Sequence, residues 1–329
     1  MKAPYDFRRL DARPLPVGNK EVRAFMVVRN ERLRLPAVLE HHRRLGVDRF
    51  FVVDNDSTDG TVEFLLDQPD LHVFQSRDSF AASQCGYAWT NTLLEMFGAD
   101  GWCLTIDADE HFIYPHYEDM GLHSLCAMLD ATGARAMFTL FLDMYSDQTI
   151  QQTAYKAGAS LMETCPFFDA LPYRCVQAEH FPSLQIYGGV RERVFWNKDE
   201  SSHPPTLNQI PLVRWQSGMR YLLCRHAMTP VPLSPVTGAL LHYKFLFDFK
   251  DRAKTEAVRG EHFSDGREYK NYARVLDGQN DLCLKAEQSV RLSGSGQLVD
   301  LGLMASSAIW NAQAKLPPLV NDSCREAAN

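Results

Sequence analysis

Between residues 21 and 112, short apolar runs alternate with segments of helical period. Ala24-Phe25-Met26-Val27-Val28 is unbroken by polar residues and predicts a buried strand. Leu35, Val38, Leu39 and Leu45 then recur on one helical face, with Pro36 tolerated in the first turn and Gly46 as a stop. A second strand follows at residues 50–53. Val62, Leu65 and Leu66 mark the next helix, capped by Ser57 or Asp59. Residues 71–74 give a third strand. Thr90, Leu93, Leu94 and Phe97 give a third helix closed by Gly98, and residues 102–106 a fourth strand. Such alternation predicts an α/β fold, Rossmann-like, with a mostly parallel sheet and helices on both faces. Ligands of these sheets sit beyond the carboxyl ends of the strands.

Three of the predicted strands end in polar clusters. These are Arg29-Asn30-Glu31, Asp54-Asn55-Asp56-Ser57 and Asp107-Ala108-Asp109-Glu110. All three fall on one rim, so their convergence weighs more than any one of them. The second half is less regular. Residues 184–196 read as a strand holding Gly188-Gly189, with Arg191 and Arg193 on one face and Glu192 on the other. Proline is dense from 204 to 235. Residues 239–247 form another apolar strand, on which His242 and Lys244 share a face, and residues 248–259 look helical. The expected organisation is an arm over 1–20 and a main domain over 21–260. That domain divides into a regular half (21–120) and a less regular half (121–260). A helical extension covers 261–329, with Gly294-Ser295-Gly296 as a linker.

Composition narrows the class. With 45% hydrophobic and 23% charged residues, the 329-residue chain has a globular balance. A net charge of −7 argues against a nucleic-acid binder. The eight cysteines include no C-x-x-C pair, which fits reduced, packed thiols better than a zinc site. No signal-peptide run opens the chain, and no stretch reaches the roughly 20 apolar residues of a membrane span. These features lead us to expect a cytoplasmic protein, compatible with resting on the inner face of a membrane.

The rim supports metal chemistry. Three carboxylates at the end of a buried strand repel one another unless a positive charge lies between them. Asp107 and Asp109, two apart, suit a hard cation such as Mn²⁺ or Mg²⁺, which takes one or two carboxylates plus substrate phosphates. Asp54-Asn55-Asp56-Ser57-Thr58-Asp59-Gly60 resembles a calcium loop at first sight. Its glycine comes one residue late and Leu65 stands where a glutamate is needed. The better reading is a cluster that contacts a base or ribose and then caps a helix. His242 as a metal ligand and Lys244 as a phosphate contact fit their shared face.

The run R-N-E-R-L-R-L-P-A-V-L-E-H-H-R-R-L-G-V-D-R-F-F-V-V-D-N-D-S-T-D-G-T resembles the opening of the family-two-like glycosyltransferases of GT-A fold. D-A-D-E (107–110) and H-Y-K-F (242–245) are similar to a branch with a D-x-D-E motif and a late histidine–lysine motif. The resemblance is close over 21–112 and loose over 187–259. It implies transfer of a sugar from a nucleotide donor, most often a UDP-sugar, with inversion. Asn30, Asp54, Asn55 and Asp56 would hold base and ribose. Asp109 would ligate the metal as the catalytic centre, with Asp107 near metal or ribose and His242 as a late ligand. Lys244 and Arg29 would add positive charge at the diphosphate. An inverting transfer also needs a base for the acceptor hydroxyl. The E-D pair of many relatives is missing, so Glu192 is the choice, with Glu179 and Asp169 behind it. The acceptor could be a glycan, a lipid-linked sugar or a protein.

Three alternatives remain. A nucleotidyltransferase uses a similar sheet and metal, but normally a glycine-rich basic loop after the first strand, and V-V-R-N-E-R-L has no glycine. An aspartyl phosphatase would want D-x-D-x-[TV], and His111 stands there instead. A non-catalytic nucleotide-sugar-binding protein on a transferase fold would bind the donor without hydrolysing it.

Overall fold

The computed structural model describes residues 7–15, 20–98, 100–177, 184–196, 204–279 and 282–315. Its centre is a nine-stranded sheet. Strands β1 (Arg8–Arg9), β2 (Val22–Val28), β3 (Arg49–Asp54), β4 (Leu71–Gln75), β5 (Trp102–Thr105), β6 (Glu110–Ile113) and β7 (Ala136–Asp143) come from the first half. The short strands β8 (Phe167–Asp169), β9 (Tyr173–Gln177) and β10 (Leu184–Gly188) lie outside the sheet. It is completed by β11 (Asn208–Arg214) and β14 (Gly238–His242). Between these two come β12 (Tyr221–Leu223) and β13 (Ala227–Met228), and β15 (Ser289–Arg291) pairs with β8. The sheet order is β1-β4-β3-β2-β5-β11-β7-β14-β6. From β4 to β5 every pairing is parallel, as is β7 with β14, while β1, β11 and β6 run antiparallel. This is the expected Rossmann-like α/β fold, parallel from β4 to β5 and mixed beyond.

The central strands are buried on both faces, which is why they read as continuous apolar runs. In β2, Val22, Ala24, Met26 and Val28 pack with Leu35, Val38, Leu39 and Leu45 of α1 (Leu35–Leu45) and with Leu125 and Leu129 of α4 (Leu122–Ala131). Phe25 points the other way. It joins Phe51 and Val53 against Trp89, Leu93 and Leu94 of α3 (Tyr87–Phe97). Helix α1 starts with proline in its first turn and ends at Gly46 in the left-handed conformation, φ 105°. Helix α2 (Thr61–Leu66) begins after Asp59, whose carboxylate accepts the Thr61 amide hydrogen at 3.0 Å. A third core cluster joins Tyr145, Phe195, Phe245 and Phe249 to Tyr269 and Tyr272. It seats α6 (Phe249–Arg259) and α7 (Phe263–Gly278) against the sheet end.

Three expectations change. The arm contributes β1, which pairs with the outer edge of β4. The strand expected over 184–196 stops at Gly188, and residues 191–195 form a turn of π-helix. The cause is backbone geometry: Gly188 has φ 138° and Gly189 φ 67°, and a Cβ at Gly188 would stand 2.5 Å from the Pro172 carbonyl oxygen. Gly294-Ser295-Gly296 is no linker, since Ser295 opens α8 (Ser295–Asp300), whose start is tied to Glu118. Short helices α5 (Leu161–Thr164) and α9 (Ala308–Ala314) and a 3-10 turn (Ile150–Gln152) complete the described elements. No helix among the described residues is long and apolar enough to cross a membrane.

Candidate functional site

A cleft of about 530 Å³ opens over the carboxyl ends of β2, β3, β5 and β14. Its walls include Arg29, Asn55, Asp107, Asp109, His242 and Lys244, so six of the residues expected from the sequence converge there.

The D-A-D-E segment is a tight turn between β5 and β6. Glu110, fully buried, closes it by accepting the Asp107 amide hydrogen at 2.8 Å. Arg225, buried as well, donates to both Glu110 oxygens at 2.6 Å, to the Asp107 carboxylate at 2.8 Å and to the Thr105 carbonyl at 3.0 Å. An arginine therefore meets the repulsion among these carboxylates at two of them. Asp107 is turned toward it and is not the third member of a metal set with Asp109 and His242, which corrects the expectation.

Asp109 is placed by its carbonyl, which accepts the Tyr243 amide hydrogen at 2.8 Å. Its Oδ2 lies 3.2 Å from His242 Nε2, and His242 Nδ1 lies 2.7 Å from Asp143 Oδ1. The register explains this meeting, because β14 places His242 opposite Asp143 of β7. Asp143 is gripped in turn by Arg191 at 2.6 and 3.0 Å. Burial pulls the His242 pKa down, but the Asp109 and Asp143 carboxylates outweigh it and the pKa ends raised. Burial opposes the Asp109 charge, yet His242 holds that carboxyl well below its usual range.

This pair fits a divalent cation. Two ligands bound at right angles, each near 2.1 Å, stand about 3 Å apart. The Asp143 contact behind His242 is the kind of outer carboxylate that orients a ligating imidazole. Mn²⁺ or Mg²⁺ would find Asp109 and His242 here and would need substrate oxygens for its remaining positions. No cluster of three or more His, Cys, Asp or Glu in ligating geometry occurs among the described residues.

The nucleotide-side expectations divide. Arg29 and Asn55 line the cleft; the Asn55 side-chain oxygen accepts from Arg259 at 3.0 Å. Asn30, Asp54 and Asp56 do not line it. Asn30 accepts the Thr58 amide hydrogen at 2.8 Å, Asp54 is fully buried and accepts that of Ser57 at 3.0 Å, and Asp56 faces Arg77 at 3.2 Å. Their polarity builds the loop after β3. Lys244 meets Glu268 at 3.2 Å over the rings of Tyr269 and Tyr272.

The expected base does not reach the cleft. Glu192 sits in the π-helical turn, paired with Arg174. Asp169 is held by Arg193 at 2.9 and 3.0 Å and by Tyr145. Glu179 lies outside the described residues. The sequence reading also missed Arg225, His226, Arg252, Arg259, Arg267 and Glu268, all of which line the cleft. Arg252 and Arg259 are seven residues apart on α6, a spacing that shares one helix face and could have flagged them. Because α7 contributes Arg267 and Glu268, the chain beyond residue 260 helps close the cleft.

No family model matches the chain, and no curated protein does. Among solved structures it is similar to a Bacillus anthracis protein assigned as a glucose-1-phosphate thymidylyltransferase and solved with sucrose. That likeness has 10% identity and a TM-score of 0.27, over 42% of this chain and 65% of the other's length. A UTP-bound UGPase from Acinetobacter baumannii gives 9% and 0.28, over 78% and 83%. The inositol-1-phosphate CTP transferase of T. maritima gives 13% and 0.26, over 58% and 70%. Overlaps this slight say nothing of what this chain binds or does.

Proposed function

We propose that the chain is a metal-dependent glycosyltransferase that moves a sugar from a nucleotide-sugar donor, of the UDP type, to an acceptor hydroxyl with inversion. The observation that carries this reading is the Asp109 and His242 pair, 3.2 Å apart, braced by Asp143 at the strand-end cleft of an α/β sheet. Bound there together with the donor diphosphate, Mn²⁺ or Mg²⁺ would neutralise the charge that develops on the leaving group.

The chain's own residues perform the rest. Arg29 and Asn55 line the nucleotide end of the cleft. Lys244, charged and held near Glu268, adds a second positive group for the diphosphate. Arg225 keeps Asp107 and Glu110 in place, so that Asp109 is presented at a fixed position. The acceptor oxygen attacks the anomeric carbon from the side away from the diphosphate.

A second reading, nucleotidyl transfer, draws support from the extra cations of the rim, Arg252, Arg259 and Arg267, which would suit a triphosphate. The products separate the two. Incubation with UDP-glucose, UDP-galactose or UDP-N-acetylglucosamine and manganese should release UDP under the first reading. Release of UTP from UDP-sugar and added pyrophosphate would favour the second. Formation of neither would count against both.

A further inference from the structure

We infer that His226 is the base that takes the proton from the attacking hydroxyl, an assignment resting on the sugar transfer proposed above. His226 lies between β12 and β13, and its ring lines the cleft. Nδ1 is 2.7 Å from the Asn208 carbonyl oxygen. A carbonyl only accepts, so Nδ1 carries the hydrogen and Nε2 carries the lone pair. The grip is reciprocal, since the Asn208 side-chain nitrogen donates to the His226 carbonyl at 3.2 Å. Nε2 has no partner among the described residues. Burial pulls the imidazole pKa down to about 4, although the bond to Asn208 works the other way, so the ring is neutral at pH 7.

The other proton acceptors of the cleft are engaged. Asp107 faces Arg225, Asp109 faces His242, and Glu31 faces Arg252. Glu256 faces Arg259 and His262, and Glu268 faces Lys244 and Arg191. Burial pushes the Cys224 thiol up to about 12 and raises that of Cys85 as well. Position also favours His226. It is held by β11, which is separated from the His242 strand β14 by β7 alone. Asn208 lies opposite Leu140, three residues before the Asp143 that faces His242, so two strand spacings across and about 10 Å along the strands separate these backbones. His226, Asp109 and His242 line the same cleft, and their separation leaves room between them for a sugar ring.

In the step, the acceptor oxygen bonds to the anomeric carbon while the bond from that carbon to the diphosphate oxygen breaks. The electron pair of the broken bond leaves on the diphosphate. The acceptor's hydrogen passes as a proton to Nε2, and the imidazolium later returns it to solvent. With water as acceptor the same step is donor hydrolysis, which needs no knowledge of the natural acceptor.

The test measures UDP release from UDP-glucose, UDP-galactose and UDP-N-acetylglucosamine with manganese, alongside UDP binding. His226→Gln should lower the hydrolysis rate by about 100-fold or more, with UDP affinity within about twofold of the native chain. His226→Ala should behave alike and regain part of its rate with added imidazole. A rate within about twofold of native in His226→Gln overturns the assignment and leaves the transfer reading standing. Loss in both variants together with weakened UDP binding and no imidazole rescue marks a structural role and overturns it too. A native chain that releases no UDP from any of the three donors contradicts the transfer reading itself, and this assignment with it.

Discussion

His242 stands between two carboxylates, with Nε2 3.2 Å from Asp109 and Nδ1 2.7 Å from Asp143. The side toward Asp109 faces the cleft; the side toward Asp143 is backed by Arg191. The second contact fixes the ring, so its removal should be felt at the first. Asp143→Asn should weaken manganese binding by about 10- to 100-fold, because an outer-shell partner of a ligating histidine is lost. Titration of the variant with manganese in the presence of UDP, followed by calorimetry, checks this; an unchanged affinity would detach Asp143 from the site.

Arg225 organises the D-A-D-E turn from inside. Its side chain is 2% exposed and that of Glu110 0%, so Arg225→Met leaves a buried carboxylate without its partner. The expected loss is about 3–5 kcal/mol in urea unfolding. The Asp107 contact, with that side chain 54% exposed, should account for little of it. Arg225→Met with Glu110→Gln should recover part of the loss, since the orphaned charge is gone.

Acid should weaken the fold through buried histidines. His42 accepts the Phe112 amide hydrogen at Nε2, 3.2 Å away, and approaches the Val38 carbonyl at 2.8 Å through Nδ1, an arrangement that requires the neutral ring. Burial holds His42 well below the ordinary value of 6.5 and brings its neighbour His41 to about 4. The folded chain keeps both neutral, whereas the unfolded chain takes up protons near 6.5. Their contribution is therefore complete above pH 6.5 and is lost as pH falls toward 4, at about 1.4 kcal/mol per pH unit for each group. Urea unfolding at several pH values between 7 and 4 measures the slope, and His41→Gln should remove one group's share of it.

The segment from β2 to β5 was readable because its strands are buried on both faces and α1 and α3 each show an apolar stripe. The runs at 24–28 and 50–53 left no other assignment, and Gly46 stopped α1 where expected. The strand expected beyond Gly188 failed because two successive glycines take positive φ, which period-two alternation does not reveal. That Asp109 and His242 would meet at the cleft was readable from motif and strand phase. Asp107 was misplaced because its partner Arg225 is 118 residues away in sequence. Glu192 was expected at the cleft but does not line it, for a similar reason. Glu192 carries a suitable carboxylate but bonds Arg174, while His226 lies in a proline-rich stretch whose path no periodicity predicts. Asn30, Asp54 and Asp56 are polar because their loop needs internal acceptors for the amides of Thr58 and Ser57, and a partner for Arg77.

The most direct test is the melting temperature of the native chain and of Asp109→Ala with UDP, with and without manganese. The account predicts that UDP raises the native melting temperature only when manganese is present, and that Asp109→Ala abolishes the rise while folding normally. Equal stabilisation by UDP without manganese, or an unchanged rise in Asp109→Ala, would contradict it.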